Sequence, residues 1–250
     1  MPTIGSIAKP LGKVLGYGDS GAGKTTFGVS MAKTFGEEKS YIMNFEPEYN
    51  LLPYMTAGLT KVAFDNYKIG QYDAMLKKIV DLKRMTPFPY DFVHVDGGNS
   101  MHKLILADIL SRNNRSDSDG ARIQDWGLAA ERMKSRINEI LELPCWVYMT
   151  FHEQLEKDEL SGKVKGKILV SGKFLPDEIP ALFNMFFHFI VKPVAGKMPV
   201  RMIATAPDFT YPAGDKTGAL SFEEEPDFSK IYIKIQEQFK KGGFADANRV

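Results

Sequence analysis

Gly18-Asp19-Ser20-Gly21-Ala22-Gly23-Lys24-Thr25 is the stretch that decides how this chain folds. It meets the pattern G-x-x-x-x-G-K-[ST] in full, and each fixed residue type has a physical task. Gly18, Gly21 and Gly23 let the backbone curl so that its N–H groups converge on phosphate oxygens. A helix opening at Lys24 adds the positive end of its dipole. Lys24 reaches the β- and γ-phosphates, and the Thr25 hydroxyl serves Mg²⁺. Asp19, Ser20, Ala22 and Thr26 complete the candidate nucleotide-binding set. The context agrees: Lys13 to Tyr17 reads as a strand before the loop, and Lys24 to Phe35 as a helix after it.

Outward from the loop, strand and helix patterns alternate. Tyr41 to Phe45 reads as a strand. Tyr72, Met75, Leu76, Ile79 and Val80 recur at helical spacing over about Gly70 to Arg84, before Pro87 and Pro89. Phe92 to Val95 is a strand ending at Asp96, and Met101 to Ser111 a helix. Trp126, Ala129, Met133, Ile137 and Ile140 mark another helix, ended by Pro144. Cys145 to Phe151 is a very apolar strand. Glu153 to Lys173 turns polar and lysine-rich, which predicts a long functional loop. Phe186 to Val191 and Val200 to Ala204 read as strands. Phe228, Ile231, Tyr232, Ile235 and Phe239 predict a last helix, although Ile231, Ile233 and Ile235 also fit a strand. The expected fold is α/β: a mainly parallel wound sheet flanked by helices. Residues 1–11 read as a lead-in, 12–240 as one domain and 241–250 as a flexible tail.

Bulk composition sets limits. The 250 residues carry 32 basic and 31 acidic side chains, a net charge of +1, so total charge alone does not call for a nucleic acid. The single cysteine, Cys145, lies in an apolar run and reads as a buried thiol. No stretch approaches the ~18 apolar residues of a membrane span. The expectation is a cytoplasmic protein without membrane contact.

Mg²⁺–nucleotide chemistry needs a carboxylate at the end of a buried strand, and Asp96 stands there. Hydrolysis also needs a carboxylate that orients water. Glu46, after the second strand, is the candidate, with Glu48 as its rival. His152 closes the 145–151 strand and is placed to sense the γ-phosphate, whereas His94 and His188, inside strands, read as structural.

The order of phosphate loop, strand ending in Glu46, strand ending in Asp96, strand ending in His152 and then a long loop resembles the RecA-type recombinase ATPases. The helix from Trp126 to Leu143-Pro144, the tripeptide Phe151-His152-Glu153 and Gly172-Lys173-Phe174-Leu175-Pro176 look like the phage RecA-like single-strand annealing ATPases of the Sak type. The resemblance spans roughly residues 12–240. It implies that the 145–151 strand lies between the phosphate-loop and Asp96 strands. It implies ATP and Mg²⁺ at subunit borders of a ring or filament, and single-stranded DNA held by two loops. Lys24 and Thr25 match the phosphate and metal ligands, Asp96 the metal-shell acid, Glu46 the base and His152 the polar sensor, Gln in RecA itself. Two departures stand out. Gly97 follows Asp96 where a hydroxyl residue is common, and Thr217 follows Lys216 where the family's finger has a second basic residue.

For DNA, the candidate contacts are Arg112, Arg115 and Arg122 in the first loop region, and Lys163, Lys165 and Lys167 in the second, with Lys157 and Lys173 nearby. Phe244 and Ala247 form an F-x-x-A motif of the kind RecA-type recombinases use to join subunits. The expected activity is an ATPase acting on single-stranded DNA in phage recombination, as a homo-oligomer, with a single-strand-binding protein as a further partner. The alternatives are a nucleotide-switched mediator with little turnover, and a small-molecule kinase. The kinase reading is disfavoured because loop 153–173 contains no arginine for a lid.

Overall fold

The computed structural model describes residues 11–157, 162, 164–172 and 174–241. Strand β1 (Lys13–Gly18) feeds the phosphate loop and helix α1 (Lys24–Phe35). Strand β2 (Ser40–Asn44) follows, then the short helix α2 (Leu52–Thr56) and edge strand β3 (Ala63–Asn66). Helix α3 (Tyr72–Arg84) leads to β4 (Phe92–Asp96), and α4 (Gly98–Arg112) and α5 (Ile123–Leu141) lead to β5 (Trp146–Lys157). Strand β6 (Val164–Ile168), helix α6 (Leu175–Ala181), strands β7 (Met185–Lys192), β8 (Val200–Ala204), β9 (Gly214–Asp215) and β10 (Glu223–Glu224), and helix α7 (Phe228–Lys241) complete the order.

The main path of the sheet runs β10-β8-β7-β1-β5-β4-β2-β3. From β7 to β3 all neighbours are parallel, and β8 and β10 add an antiparallel edge. The expected α/β fold is therefore present, with β5 between β1 and β4. Helices cover both faces, so the central strands read as apolar runs rather than alternating ones.

Side chains still divide by parity. Leu15, Val93, Val95, Val147, Met149 and Phe151 face the layer built by α3, α4 and α5. Val14, Phe92, Trp146, Tyr148, Phe187 and Phe189 face α1 and α7. On that second face Phe27 of α1 meets the rings of Tyr148, Phe187, Phe189 and Phe228 at 5.4–6.2 Å. Truncating such a fully buried aromatic costs about 3–5 kcal/mol. Asp96, Thr150 and His152 continue the parity of the α1-facing set. The strands therefore deliver all three to the side where the phosphate loop enters α1.

The structure departs from the sequence expectation in several places. Within the stretch read as a long loop, β5 runs on to Lys157 and pairs antiparallel with β6, Glu153 opposite Ile168 and Lys157 opposite Val164. Its outer half leaves the core, so it lacks the apolar signal of a buried strand. Strand β3 and the proline-bearing helix α6 were not expected either. The last segment is a helix, α7, whose Phe228, Ile231 and Ile235 are buried against α1. Among the described residues no helix is long and apolar enough to cross a membrane.

Candidate functional site

The carboxyl ends of β1, β2, β4 and β5 open onto one cleft of about 350 Å³. Lys24, Thr25, Glu46, Asp96, His152 and Arg201 are among the residues that line it. Lys24 is buried, and its ammonium donates to the carbonyls of Gly18 (2.7 Å) and Asp19 (2.8 Å). Those partners are dipoles rather than counter-charges, so burial lowers its pKa to about 8, with Asp96 the strongest influence opposing the shift. The first turn of α1 is tied to the sheet by Tyr148, whose hydroxyl donates to the Lys24 carbonyl at 3.1 Å.

Asp96 is almost fully buried, and each carboxylate oxygen takes a hydroxyl. Thr25 donates to Oδ2 at 3.1 Å and Thr150 to Oδ1 at 2.6 Å. His94 lies behind it on β4, fully buried, with Nδ1 bonded to the Tyr54 hydroxyl at 2.7 Å. Burial lowers the pKa of His94, which keeps a neutral ring beneath the acid.

Among the described residues no cluster of three His, Cys, Asp or Glu could hold a metal ion by itself. The Thr25 and Asp96 oxygens instead offer a small hard-ligand set. That set fits Mg²⁺, which keeps several waters and completes its shell with substrate phosphates.

Glu46 is held from two directions. Ser100 of α4 donates to its Oε1 at 2.7 Å. Asn44 fixes its main chain, donating to the Glu46 carbonyl at 2.8 Å. Gly97 explains itself here. Its φ is +94°, and a Cβ would stand 2.6 Å from Glu46 Oε1. The absent side chain lets the carboxylate lie against the end of β4. The hydroxyl expected after Asp96 is absent, and Thr25 and Thr150 supply the hydroxyls that meet its carboxylate. Glu48 is exposed and lines a neighbouring cavity, not this cleft.

His152 is half-buried, and its backbone N–H meets Asn99 Oδ1 at 3.4 Å. Burial lowers its pKa, and the nearby Lys24 charge adds to the effect. The next residue, Glu153, accepts from His188 Nε2 at 2.8 Å. That ring stacks on Tyr211 at 4.0 Å, and Tyr211 packs over Gly166 of β6. The strand that lines the cleft is thus clamped to the hairpin.

Other predicted residues lie elsewhere. Lys216 is outside the cleft, its ammonium donating to the Phe183 carbonyl at 2.7 Å. Arg112 pairs with Asp108 and Asp73, and Arg115 with the buried Asp125 at 2.6 Å. Lys167 bridges Glu156 and Asp177. Arg122 and Lys165 are exposed, Lys165 opposite Glu156 on the hairpin. Trp126 is half-buried, tilted against His102. Lys163, Lys173, Phe244 and Ala247 lie outside the described residues.

Sequence reading missed Thr150, Ser100, Asn44, Asn99 and Arg201. Thr150 alone had a signal: it is two residues before His152, so a strand turns both to one face.

The sequence model of a family described as an AAA domain matches residues 12–217. No curated protein matches the sequence significantly. Among solved structures, the RadB recombinase matches at 14% identity with a TM-score of 0.46, covering 78% of this chain and 80% of that one. A prototypical ATPase from the type III secretion system of pathogenic bacteria matches at 10% identity with a TM-score of 0.47. That match covers 72% of this chain and 51% of the other.

Proposed function

Because the chain belongs to the AAA-domain family, we propose that it is a Mg²⁺-dependent ATPase that loads on single-stranded DNA and promotes annealing or strand exchange in phage recombination. The ATPase part rests on the convergence of Lys24, Thr25, Asp96, Glu46 and His152 in one cleft. In this reading the loop N–H groups and Lys24 hold the phosphates. Thr25 and Asp96 hold Mg²⁺, which when bound neutralises charge on the phosphate oxygens. Glu46 orients the attacking water and takes its proton. His152 reads the presence of the γ-phosphate.

The DNA part is supported by one observation. Strand β5 is continuous from Thr150 and His152 in the cleft to the lysine-bearing hairpin. A change at the γ-phosphate then has a stiff path to the surface that would meet the sugar-phosphate backbone. Arg122, Lys165 and Lys163 carry that contact, while Arg112, Arg115 and Lys167 spend part or all of their charge on carboxylates of the same chain. A homo-oligomer, ring or filament, would bring Lys216 to a neighbour's nucleotide and use Phe244 and Ala247 for assembly. A single-strand-binding protein is a further partner.

A second reading, a nucleotide-switched mediator with little turnover, is favoured by Lys216. The Phe183 carbonyl holds its ammonium, and Thr217 follows it in place of a second cation.

One assay separates these readings: ATP hydrolysis with and without single-stranded DNA, with Lys24→Ala as control. DNA-stimulated turnover is the expected result. Nucleotide-dependent DNA binding with negligible turnover supports the mediator, and indifference to DNA overturns both.

A further inference from the structure

Arg201 is a cation at the phosphate loop that no motif announces. It sits on β8, which folds back antiparallel on β7, Val191 opposite Arg201. In the sheet order β8 and β7 lie on the flank of β1 away from β5, β4 and β2. Arg201 therefore reaches the cleft from the side opposite Asp96 and Glu46.

Its Nε donates to the Gly21 carbonyl at 3.2 Å. Its Cδ stands 3.0 Å from where a Cβ on Gly23 would lie, so the stem covers the loop at that glycine. Any side chain at residue 23 would strain the left-handed backbone, φ +104°, and crowd this arginine. Among the described residues Arg201 has no ion pair, as is also true of Arg84 and Arg122, but of these three only Arg201 lines the cleft. A guanidinium has five N–H donors, so a single carbonyl leaves most of them uncommitted.

We propose that Arg201 is a phosphate-contacting residue of the nucleotide site, acting within its own chain and closing the flank of the triphosphate that Lys24 does not face. The planar fork of a guanidinium matches non-bridging phosphate oxygens, and it would exchange the Gly21 carbonyl for them. The inference rests on the nucleotide reading given above.

The test is calorimetric titration of the full chain with MgATP and MgADP, using Arg201→Ala, Arg201→Lys and Lys24→Ala, with KM and kcat for ATP and thermal melts without nucleotide. Arg201→Ala is expected to weaken MgATP binding about 10- to 100-fold, the range for a hydrogen bond to a charged group. KM should rise by a similar factor, and Arg201→Lys should recover part of the loss. The nucleotide-free melting temperature should stay at the wild-type value, because the side chain is exposed. Wild-type affinity in Arg201→Ala overturns the proposal. A fall in nucleotide-free Tm that accounts for the lost affinity also overturns it, since Arg201 would then only clip the loop. Unweakened binding in Lys24→Ala would instead sink the nucleotide reading itself, and the proposal with it.

Discussion

Thr150 donates its hydroxyl to Asp96 at 2.6 Å while its own oxygen accepts the Gly97 N–H at 3.0 Å. One buried side chain on β5 thereby fixes both the acid at the end of β4 and the turn behind it. Thr150→Val would leave a buried N–H and a carboxylate oxygen without partners, costing about 1–3 kcal/mol. For a chain of this length, Tm should fall by about 2–4 °C per kcal/mol. Thr150→Ser keeps both hydrogen bonds and should lose only the buried methyl group, about 0.8 kcal/mol. Equal melting of the valine and serine variants would refute this role.

Gly97 and Glu46 form a second close pair. Gly97→Ala would set a methyl group 2.6 Å from Glu46 Oε1 on a left-handed backbone. Displacing a reacting group by about 1 Å can cost roughly 10²-fold in rate. Phosphate release should therefore fall by about that factor while MgATP binding changes little. Glu46→Gln should lose about 10²–10⁴-fold in turnover with binding kept. Binding that collapses along with turnover in Glu46→Gln would remove Glu46 from the role of base.

Lys24 gives a pH signature. Burial lowers its pKa from its ordinary 10.5 to about 8. A lowered lysine is penalised while charged, so the cost to folding is fully present below pH 8 and is relieved as pH rises from 8 toward 10.5. Phosphate favours the charged form, so MgATP affinity should decline as pH rises through 8, and binding near that pH should take up protons. Titrations from pH 6.5 to 9.5 in two buffers of different ionisation enthalpy measure both. A flat profile contradicts the assignment.

The hairpin cations are not equivalent. Lys167 is already shared by Glu156 and Asp177, whereas Lys165 is exposed. If the hairpin meets single-stranded DNA, Lys165→Ala should reduce the salt slope of binding by about 0.7, one phosphate contact, and Lys167→Ala by much less. Arg115→Ala should lower Tm, because it unpairs buried Asp125 at the start of α5. Identical slopes for wild type and Lys165→Ala would exclude Lys165 from the contact.

How much of this was legible depended on how local the signal was. The phosphate loop was readable because its chemistry demands fixed residue types at fixed spacing. Asp96 and His152 were readable because each ends an apolar run, where a strand must reach the ligand edge. Thr150 hid inside such a run as one more β-branched residue. Arg201 joins the loop only through the strand order, and no spacing in the sequence brings residue 201 beside residues 21 and 23. The outer half of β5 was missed because a strand that leaves the core loses the burial that makes strands visible. Helix α6 carries two prolines, residues that ordinarily interrupt a helix, yet Pro176 sits in the first turn and the helix ends directly after Pro180.

The length of β5 carries one more consequence. A strand keeps a two-residue phase along its whole run, so Thr150, His152 and Gln154 share a face while Phe151, Glu153 and Leu155 share the other. Losing one residue between Thr150 and Glu153 would shorten nothing important but would swap the two sets. With Phe151 lost, Glu153 would turn toward the phosphates and His152 would take the face that Phe151 holds. That phase is set where the strand crosses the cleft, so a one-residue loss is forbidden there.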